Sequence, residues 1–125
     1  MVNDLNEETA RTVAAELAEA GIEAVAISGD VTSSENVTNI INTTIETLGT
    51  VHILVNNAGI LRPTPFADIE EDEWDLVIKG NLKATYLCSR AVLPVMKEQG
   101  WGRIVNFSST AGKNVSTVGG PHYTA

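Results

Sequence analysis

Polar residues follow two apolar stretches of the sequence at the points where those stretches end. Residues 51–55 are followed directly by Asn-Asn-Ala-Gly at 56–59. Residues 103–107 are followed by Ser108 and Ser109. Amides and hydroxyls hold a ligand by hydrogen bonds, and glycine admits a close backbone approach because it lacks Cβ. Because open α/β sheets bind ligands at the carboxyl ends of their strands, this spacing predicts a ligand site at one sheet edge.

Ordinary structural roles compete with a functional role at each candidate position. Two serines at the end of a strand more often make a turn than do chemistry, because their hydroxyls bond the nearby backbone. Asn56 is equally suited to tie two neighbouring strands together, and Asp4 to be a solvated strand end or to cap a helix starting near Glu7. A tyrosine such as Tyr123 is a weak base at neutral pH and needs a neighbouring cation to act as one. The residues alone leave these alternatives open.

Short apolar segments alternate with segments of helical period. Strands are expected at residues 1–5, 24–28, 51–59 and 103–107, and helices at 7–20, 34–48 and 68–99. Ser33 or Ser34 can cap the second helix, while Gly21 and Gly49 end the first two. Strands separated by helices at this spacing predict an α/β fold with a doubly wound parallel sheet. The nearly continuous apolar run before Asn56 predicts a strand buried on both faces.

The third helix is the longest. Asp68 and Glu71, three residues apart, are expected to cap its start. Gly80 and Pro94 should bend it before its end near Gln99. Its inward-facing positions are predicted to be Trp74, Val77, Ile78, Leu82, Tyr86, Val92 and Met96.

Two connecting segments are expected to be irregular. One carries Pro63 and Pro65, whose fixed φ and missing N–H groups suit a loop, and it is a candidate for contact with a substrate. The other is residues 110–125, a Gly-, Ser- and Thr-rich loop that turns helical near Tyr123.

Composition argues against several classes of function. The 125 residues are 43% hydrophobic, enough for the modest core of one small domain. A formal net charge of −8 argues against nucleic-acid or anionic-membrane partners. No apolar run approaches the roughly 18 residues of a membrane span, and no leader opens the chain. The single cysteine, Cys88, excludes an internal disulfide and fits a reducing cytoplasm.

The two histidines raise the question of a metal site. His52 and His122 lack the accompanying Cys, His or carboxylate spacing, so no metal is predicted and structural or surface roles are expected. A separate hypothesis places His122 at the entrance of a substrate pocket, because it immediately precedes Tyr123.

Several motifs stand in a fixed order along the chain. They are Asp30-Val31, Asn56-Asn57-Ala58-Gly59, Asn81, Gly102-Arg103-Ile104-Val105-Asn106-Phe107-Ser108-Ser109 and Tyr123. Together they resemble the short-chain dehydrogenase/reductase family, and look closest to its 3-oxoacyl-acyl carrier protein reductase branch. The resemblance implies a Rossmann-like fold and an NAD(P)-dependent oxidoreductase that transfers hydride between nicotinamide and a carbonyl or alcohol substrate. A 3-oxoacyl thioester is one candidate substrate.

The resemblance also implies a nucleotide site. Asp4 would accept both hydroxyls of an adenosine ribose and repel a 2′-phosphate, which favours NAD and leaves NADP as the alternative. Asp30 and Val31 match the positions beside the adenine ring. The other residues matched to cofactor-binding positions are Asn56, Ala58, Gly59 and Tyr123.

Three residues are matched to catalytic positions of the family. Ser109, with Ser108 as its competitor, would hold the substrate carbonyl by a hydrogen bond. Tyr123 would donate a proton to the carbonyl oxygen, or accept one from an alcohol, with help from a family lysine. Asn81 would hold a water of the proton relay through a bent helix, its alternative being an ordinary helical asparagine.

Parts of the family pattern fall outside the 125 residues. No Gly-x-Gly-x-x-Gly turn occurs, and a lysine four residues after Tyr123 would lie beyond residue 125. The chain is therefore expected to be an internal fragment, a partial NAD(P)-binding Rossmann domain over residues 1–125 that lacks the first strand and the C-terminal strands. Family topology places the first strand between the strands that end at Asp4 and Asn56. The fragment by itself is predicted to be inactive and prone to aggregation.

Two expectations concern assembly. Trp74, Tyr86 and Met96 give the long helix more apolar surface than one sheet face needs, which favours a homodimer or homotetramer through that helix in the full-length protein. A different class stays open, in which the chain is a non-catalytic nucleotide-binding or assembly fragment.

Overall fold

Strands and helices alternate along the chain. The computed structural model describes residues 1–114, 116 and 118–125. The strands are β1 (Val2–Asp4), β2 (Ala26–Ser28), β3 (Ile53–Asn56) and β4 (Arg103–Asn106). The helices are α1 (Glu7–Glu19), α2 (Ser34–Leu48), α3 (Glu71–Ile78), α4 (Ala84–Glu98) and α5 (Pro121–Thr124). Short 3₁₀ turns at Phe66–Asp68 and Thr110–Gly112 interrupt the two longest loops.

The strands pair in parallel, as the alternation with helices predicts. β1 pairs with β2, Val2 lying opposite Ala26, and β3 pairs with β4, Ile53 lying opposite Arg103. The described strands form two separate two-stranded sheets instead of one continuous sheet. A cleft of about 630 Å³ is lined by β1 on one side and β3 on the other. The predicted parallel, incomplete Rossmann-like α/β fold is confirmed.

The main core lies between α2, α4 and one face of the β3–β4 sheet. Its buried members are Val37, Ile41, Val51, Cys88, Val92 and Met96. Burying a valine side chain stabilises a fold by about 1.5–3 kcal/mol, so even this small cluster holds the two helices on the sheet. Burial also raises the pKa of the Cys88 thiol, which keeps it protonated and unreactive.

The second face of the β3–β4 sheet is exposed. Leu54 and Ile104 face the helices, whereas Ile53 and Val55, which alternate with Leu54 along the strand, are 58% and 52% exposed. The prediction that this strand is buried on both faces is therefore wrong for the described residues. The physical reason is that α2 and α4 cover one face only.

The long third helix is divided in two. α3 and α4 are joined by the π-helical turn Lys79–Lys83, in which the amide of Ala84 donates to the carbonyl of Lys79, five residues back. The regular α-helical pattern is therefore interrupted at Gly80, where the sequence predicts a bend. Glycine is needed there because a Cβ would lie 2.5 Å from Ile60 Cδ1. Pro94 lies inside α4 without ending it.

The predicted start of this helix is wrong. Asp68 belongs to a 3₁₀ turn, and Ile69 is extended, so α3 begins only after Glu70, whose side chain makes no capping bond. Three of the predicted inward positions are exposed: Trp74, Leu82 and Tyr86. The π turn inserts one residue, so a single helical period cannot describe both halves. Val77, Val92 and Met96 are buried as predicted.

Local end signals behave as the sequence predicts. Ser33 caps α2 by accepting a hydrogen bond from the Asn36 amide. Gly21 and Gly49 follow α1 and α2 with positive φ angles of 78° and 85°, which glycine adopts without strain. Asn6, not Asp4, caps α1. The predicted loop at 110–125 does turn helical at α5, and its positions 115 and 117 lie outside the described residues.

Candidate functional site

The cleft between the two sheets gathers most of the predicted cofactor-binding residues. Its lining includes Asp4, Asp30, Val31, Asn56, Ala58 and Gly59. These residues come from the carboxyl ends of β1, β2 and β3, the edge where parallel sheets bind ligands. A volume of about 630 Å³ lies in the range of small-molecule sites. Tyr123 does not line this cleft in the part of the chain that the structure describes.

The cleft contains a buried hydrogen-bond acceptor that has no partner in the described part of the chain. Asn3 lines the same cleft, and its Oδ1 is buried without a hydrogen-bond partner among the described residues. Its Nδ2 donates to the carbonyl of Gly29 at 3.2 Å, which fixes the direction of the amide. A buried unpaired acceptor is costly, so a donor from a ligand or from another polypeptide segment would be favourable there. This acceptor suits a hydrogen-bond donor of a dinucleotide and a backbone N–H of another polypeptide segment equally.

The two carboxylates of the cleft are held by their own neighbours. Asp4 Oδ1 accepts from the amide of Asn6 at 2.8 Å, and Asp30 Oδ1 accepts from the amide of Thr32 at 2.8 Å. Hydrogen bonds from the Thr32 side chain and backbone hold the pKa of Asp30 below its ordinary value, and the Lys79 charge contributes further. The Asp30 carboxylate is therefore ionised at neutral pH and able to accept hydrogen bonds from a ligand.

Asn56 ties strands and helix together. Its Nδ2 donates to Asn106 Oδ1 at 2.8 Å and to Ser89 Oγ at 3.2 Å. These contacts match the structural alternative for this residue, and they leave its backbone at the edge of the cleft. Gly59 is required by a close approach, because a Cβ there would lie 2.7 Å from Asn81 Oδ1.

Asn81 is bonded to the loop that follows β3. Its Oδ1 accepts from the amide of Ile60 at 3.0 Å, and its Nδ2 donates to the carbonyls of Ile60 and Val77, both at 2.8 Å. Asn81 also lies inside the π turn. It is therefore more than an ordinary helical asparagine: its side chain holds the loop against the bend of the helix.

Ser109 and Tyr123 lie on elements that pack together. Ser109 Oγ accepts from the amide of Ala111 at 3.2 Å and caps the 3₁₀ turn Thr110–Gly112. This turn contacts α5, which carries Tyr123. Ser108 is exposed.

One loop links these elements to Asn81. The amide of Gly120, just before α5, donates to the carbonyl of Arg62 at 2.8 Å, two residues after Ile60. Beyond this link, residues 63–66 and 118–121 line a second cavity of about 360 Å³. The loop with Pro63 and Pro65 therefore faces the segment that precedes Tyr123, where a substrate could lie.

The two histidines have different surroundings. His52 is exposed and packs edge-on against Trp101 at 5.7 Å between ring centroids. His122 is only 2% exposed, and its Nε2 lies 3.1 Å from Oε1 of Glu73. A surface role for His122 is thus wrong, and it does not line the described part of the second cavity. Among the residues described, no three His, Cys, Asp or Glu side chains are grouped as metal ligands.

Sequence reasoning missed the contribution of Glu73. It lies 49 positions from His122, and no motif connects a helical glutamate to a histidine at that separation. The exposed acidic start of α3 offered no signal that one of its carboxylates accepts a buried hydrogen bond.

Parallel βα units with a cleft at the carboxyl ends of their strands define a Rossmann-like α/β protein. The family model described as short chain dehydrogenase matches residues 1–125, and the chain belongs to this family. In the described residues, no helix is both long and apolar enough to cross a membrane.

Individual relatives agree with this membership. The chain is 38% identical over 112 residues to the uncharacterized oxidoreductase YxjF of Bacillus subtilis, covering 90% of this chain and 44% of that protein. It is 37% identical over 116 residues to a 3-oxoacyl-[acyl-carrier-protein] reductase of Synechocystis, covering 93% and 47%. A gluconate 5-dehydrogenase of Burkholderia cenocepacia, solved with NADP and tartrate, superposes with a TM-score of 0.89 at 32% identity, covering 98% and 48%. The chain spans about half the length of these relatives.

Proposed function

We propose that this chain is part of an NAD(P)-dependent oxidoreductase that interconverts a carbonyl compound and an alcohol. The observation that carries the proposal is that six residues matched to cofactor positions lie together at the carboxyl ends of β1, β2 and β3. The family membership and the oxidoreductase names of the relatives support it. The packing of the Ser109 turn against α5, beside the loop held by Asn81, provides a place for the chemistry.

In this proposal each of three residues has its own role. The bound dinucleotide supplies or accepts the hydride. Ser109 donates its hydroxyl hydrogen to the substrate carbonyl oxygen, which orients the carbonyl. Tyr123 gives its phenolic proton to the same oxygen during reduction and takes it back during alcohol oxidation. Asn81 holds the loop after β3 against the π turn, which fixes the position of that loop beside Ser109 and Tyr123.

The choice of cofactor rests on Asp4. Its carboxylate stands at the end of β1 and lines the cleft, where it can accept ribose hydroxyls and would repel a 2′-phosphate. NAD is therefore the proposed cofactor. NADP remains the alternative, since the gluconate 5-dehydrogenase was solved with NADP.

The substrate class is proposed from the named relatives. The Synechocystis relative is a 3-oxoacyl-[acyl-carrier-protein] reductase, which makes a 3-oxoacyl thioester the first candidate. The gluconate 5-dehydrogenase makes a polyhydroxy carbonyl compound the second. The cavity beside residues 63–66 is where either would lie.

One experiment tests the whole proposal. The coding DNA on both sides of this segment is read, the complete protein is expressed, and NADH and NADPH oxidation are followed with 3-oxoacyl thioesters, ketoses and simple ketones. We expect turnover with at least one carbonyl class and tighter binding of NAD than of NADP. Nucleotide binding without any turnover would favour the non-catalytic alternative, and absence of nucleotide binding would overturn both. The 125-residue chain alone serves as the control predicted to be inactive.

We also propose that the complete protein forms a homodimer or homotetramer through α3 and α4. Trp74, Tyr86 and Leu93 are exposed on these helices at 38%, 56% and 42%. Met96, which the sequence also predicted for this surface, is buried in the core against α2 and the sheet and cannot contribute to it. Light scattering of the complete protein should give two or four copies, and Tyr86→Lys should reduce that number because it places a charge in an apolar contact. A monomer would dispose of this proposal.

A further inference from the structure

His122 is the largest fully buried side chain of the described residues, and it makes one polar contact. Its Nε2 lies 3.1 Å from Oε1 of Glu73, and its ring stacks on Trp74 with 6.2 Å between centroids and an interplanar angle of 20°. A glutamate carboxylate only accepts hydrogen bonds, so Nε2 carries the hydrogen and donates it. The contact therefore joins α5 to α3.

The second nitrogen of the ring has no partner. Nδ1 is buried and makes no hydrogen bond to any described residue. A leucine would fill a similar volume without leaving a nitrogen unpaired, and unpaired buried polar atoms cost free energy. Stability alone does not call for histidine at position 122. Its use there points to a role for the bond to Glu73.

Two hydrogen bonds fix the start of α5 against other elements. They run from the Gly120 amide to the Arg62 carbonyl at 2.8 Å and between His122 and Glu73 at 3.1 Å. Tyr123 directly follows His122, and adjacent helical residues point about 100° apart. Fixing the His122 ring therefore fixes the direction in which the Tyr123 ring leaves the helix.

Three hydrogen bonds connect the elements of the site into a closed circuit. The first joins Asn81 to Ile60, the second joins Gly120 to Arg62, and the third joins His122 to Glu73, which lies on the helix just before Asn81. Short stretches of chain connect these three bonds. Asn81 and Tyr123 both belong to the circuit, so breaking the contact between His122 and Glu73 allows Tyr123 to move relative to Asn81.

We propose that His122 and Glu73 are positioning residues that set the orientation of Tyr123 relative to Asn81. The catalytic meaning of this inference rests on the proposed function, whereas the orientation itself does not. His122 touches neither substrate nor cofactor in this scheme and acts only through Tyr123.

Matched variants of the complete protein test the inference. His122→Leu removes the donor and keeps the volume, whereas His122→Gln keeps a donor near the Nε2 position. We expect His122→Leu to lower kcat by about 10- to 100-fold, because small displacements of a reacting group cost that much. KM for the dinucleotide and the midpoint of urea unfolding should stay unchanged. His122→Gln should recover most of kcat, and Asp75→Asn, an exposed carboxylate on the same helix, should change nothing.

A spectroscopic measurement separates this inference from the proposed function. In protein labelled with ¹³C at tyrosine Cζ, the Tyr123 signal is assigned by its loss in Tyr123→Phe. We expect His122→Leu and Glu73→Leu, which remove the donor and the acceptor of the bond respectively, to shift that signal and to leave the Tyr86 signal in place. If the wild-type protein turned over no carbonyl substrate, the proposed function would be wrong. The Tyr123 signal would still show whether His122 and Glu73 position Tyr123.

Two results would overturn the inference. One is an unmoved Tyr123 signal in His122→Leu. The other is a fall in kcat that comes with an equal loss of stability and is not recovered by His122→Gln, since that pattern describes packing alone.

Discussion

The two ends of the cleft between the sheets hold their functional side chains differently. At the β1–β2 end, Asp4 and Asp30 each bond the amide two residues ahead, so the geometry of each carboxylate is set within its own turn. At the β3–β4 end, Asn56 bonds Asn106 across 50 positions and Asn81 bonds Ile60 across 21. The two carboxylates are therefore oriented by local sequence, and the two asparagines only by the folded chain.

In the proposed function, the β1–β2 end binds the nucleotide and the β3–β4 end holds the reacting groups. A nucleotide contact that rests on one turn survives changes elsewhere, because the turn needs only its own residues. A reaction geometry that rests on long-range bonds is sensitive to changes at a distance, since each bond orients two elements at once. We expect substitutions at the β3–β4 end to have larger and less separable effects than substitutions at the β1–β2 end.

The largest effect is expected at Tyr123. In the complete protein, Tyr123→Phe removes the proposed acid and base while keeping the ring, and kcat should fall by about 10²- to 10⁴-fold. Steady-state kinetics with the best carbonyl substrate measure this. Tyr86→Phe, at an exposed position on α4, is the matched control and should keep the wild-type kcat. If both variants turned over at the same rate, the assignment of the proton to Tyr123 would be wrong.

The next largest effect is expected at Asn81. Asn81→Ala removes three hydrogen bonds and leaves the amide and carbonyl of Ile60 without their partner. We expect the free energy of unfolding to drop by about 2–4 kcal/mol, measured by urea denaturation of the complete protein. The local counterpart is Asn6→Ala, which removes the cap of α1 and should cost only about 1 kcal/mol. Equal losses would contradict the distinction between the two ends.

A smaller and more selective effect is expected at Asp4. Asp4→Ala should weaken NAD binding about tenfold, because hydrogen bonds to a charged group are worth about 1.5–3 kcal/mol. NADP binding should hold or improve, since the carboxylate no longer opposes a 2′-phosphate. Calorimetric titration with both dinucleotides measures the ratio, and Asp72→Ala serves as a control outside the cleft. An unchanged ratio would remove Asp4 from cofactor selection.

The smallest effect is expected at Asp30. Its pKa is lowered in the folded state by the bonds from Thr32, so its charged form adds stability that is present above the ordinary Asp pKa of about 3.9 and is lost as the pH falls through the lower folded value. The difference in unfolding free energy between wild type and Asp30→Asn should therefore shrink on acidification. Urea denaturation at pH 7 and near the acid limit of stability measures it. A difference that grows towards low pH would reverse the assigned sign.

Features that depend on local contacts could be predicted from the sequence, whereas features that depend on long-range contacts could not. The caps and ends at Ser33, Gly21 and Gly49 follow from the conformations those residues favour, and they were predicted from the sequence. The parallel α/β fold follows from the order of the elements. The resemblance to the family matched the residues of the cleft to cofactor positions, and that role stays a prediction. What topology predicts is their common edge, because they stand at the ends of parallel strands.

The rest depended on packing that a periodic pattern does not encode. The exposure of Ile53 and Val55 depends on which elements cover the sheet, not on how apolar the strand is. The helical period predicted Trp74 and Tyr86 to face inward, whereas both are exposed. The π turn changes the period between α3 and α4, and Trp74 packs on His122 of α5 instead of on the sheet. The partnership of Glu73 with His122 joins two elements whose contact appears only in the folded chain. The assignments of Ser109 and Tyr123 to the reaction stay predictions.

The π turn at Lys79–Lys83 also sets the angular relation of α3 to α4. An α-helix turns about 100° per residue, so removing one residue from this turn would restore the ordinary helical repeat and rotate α3 about the common axis by that amount. With Cys88 and Val92 still facing the sheet, Glu73 would swing away from α5. A one-residue deletion here should therefore be far more damaging than any single side-chain replacement on α3.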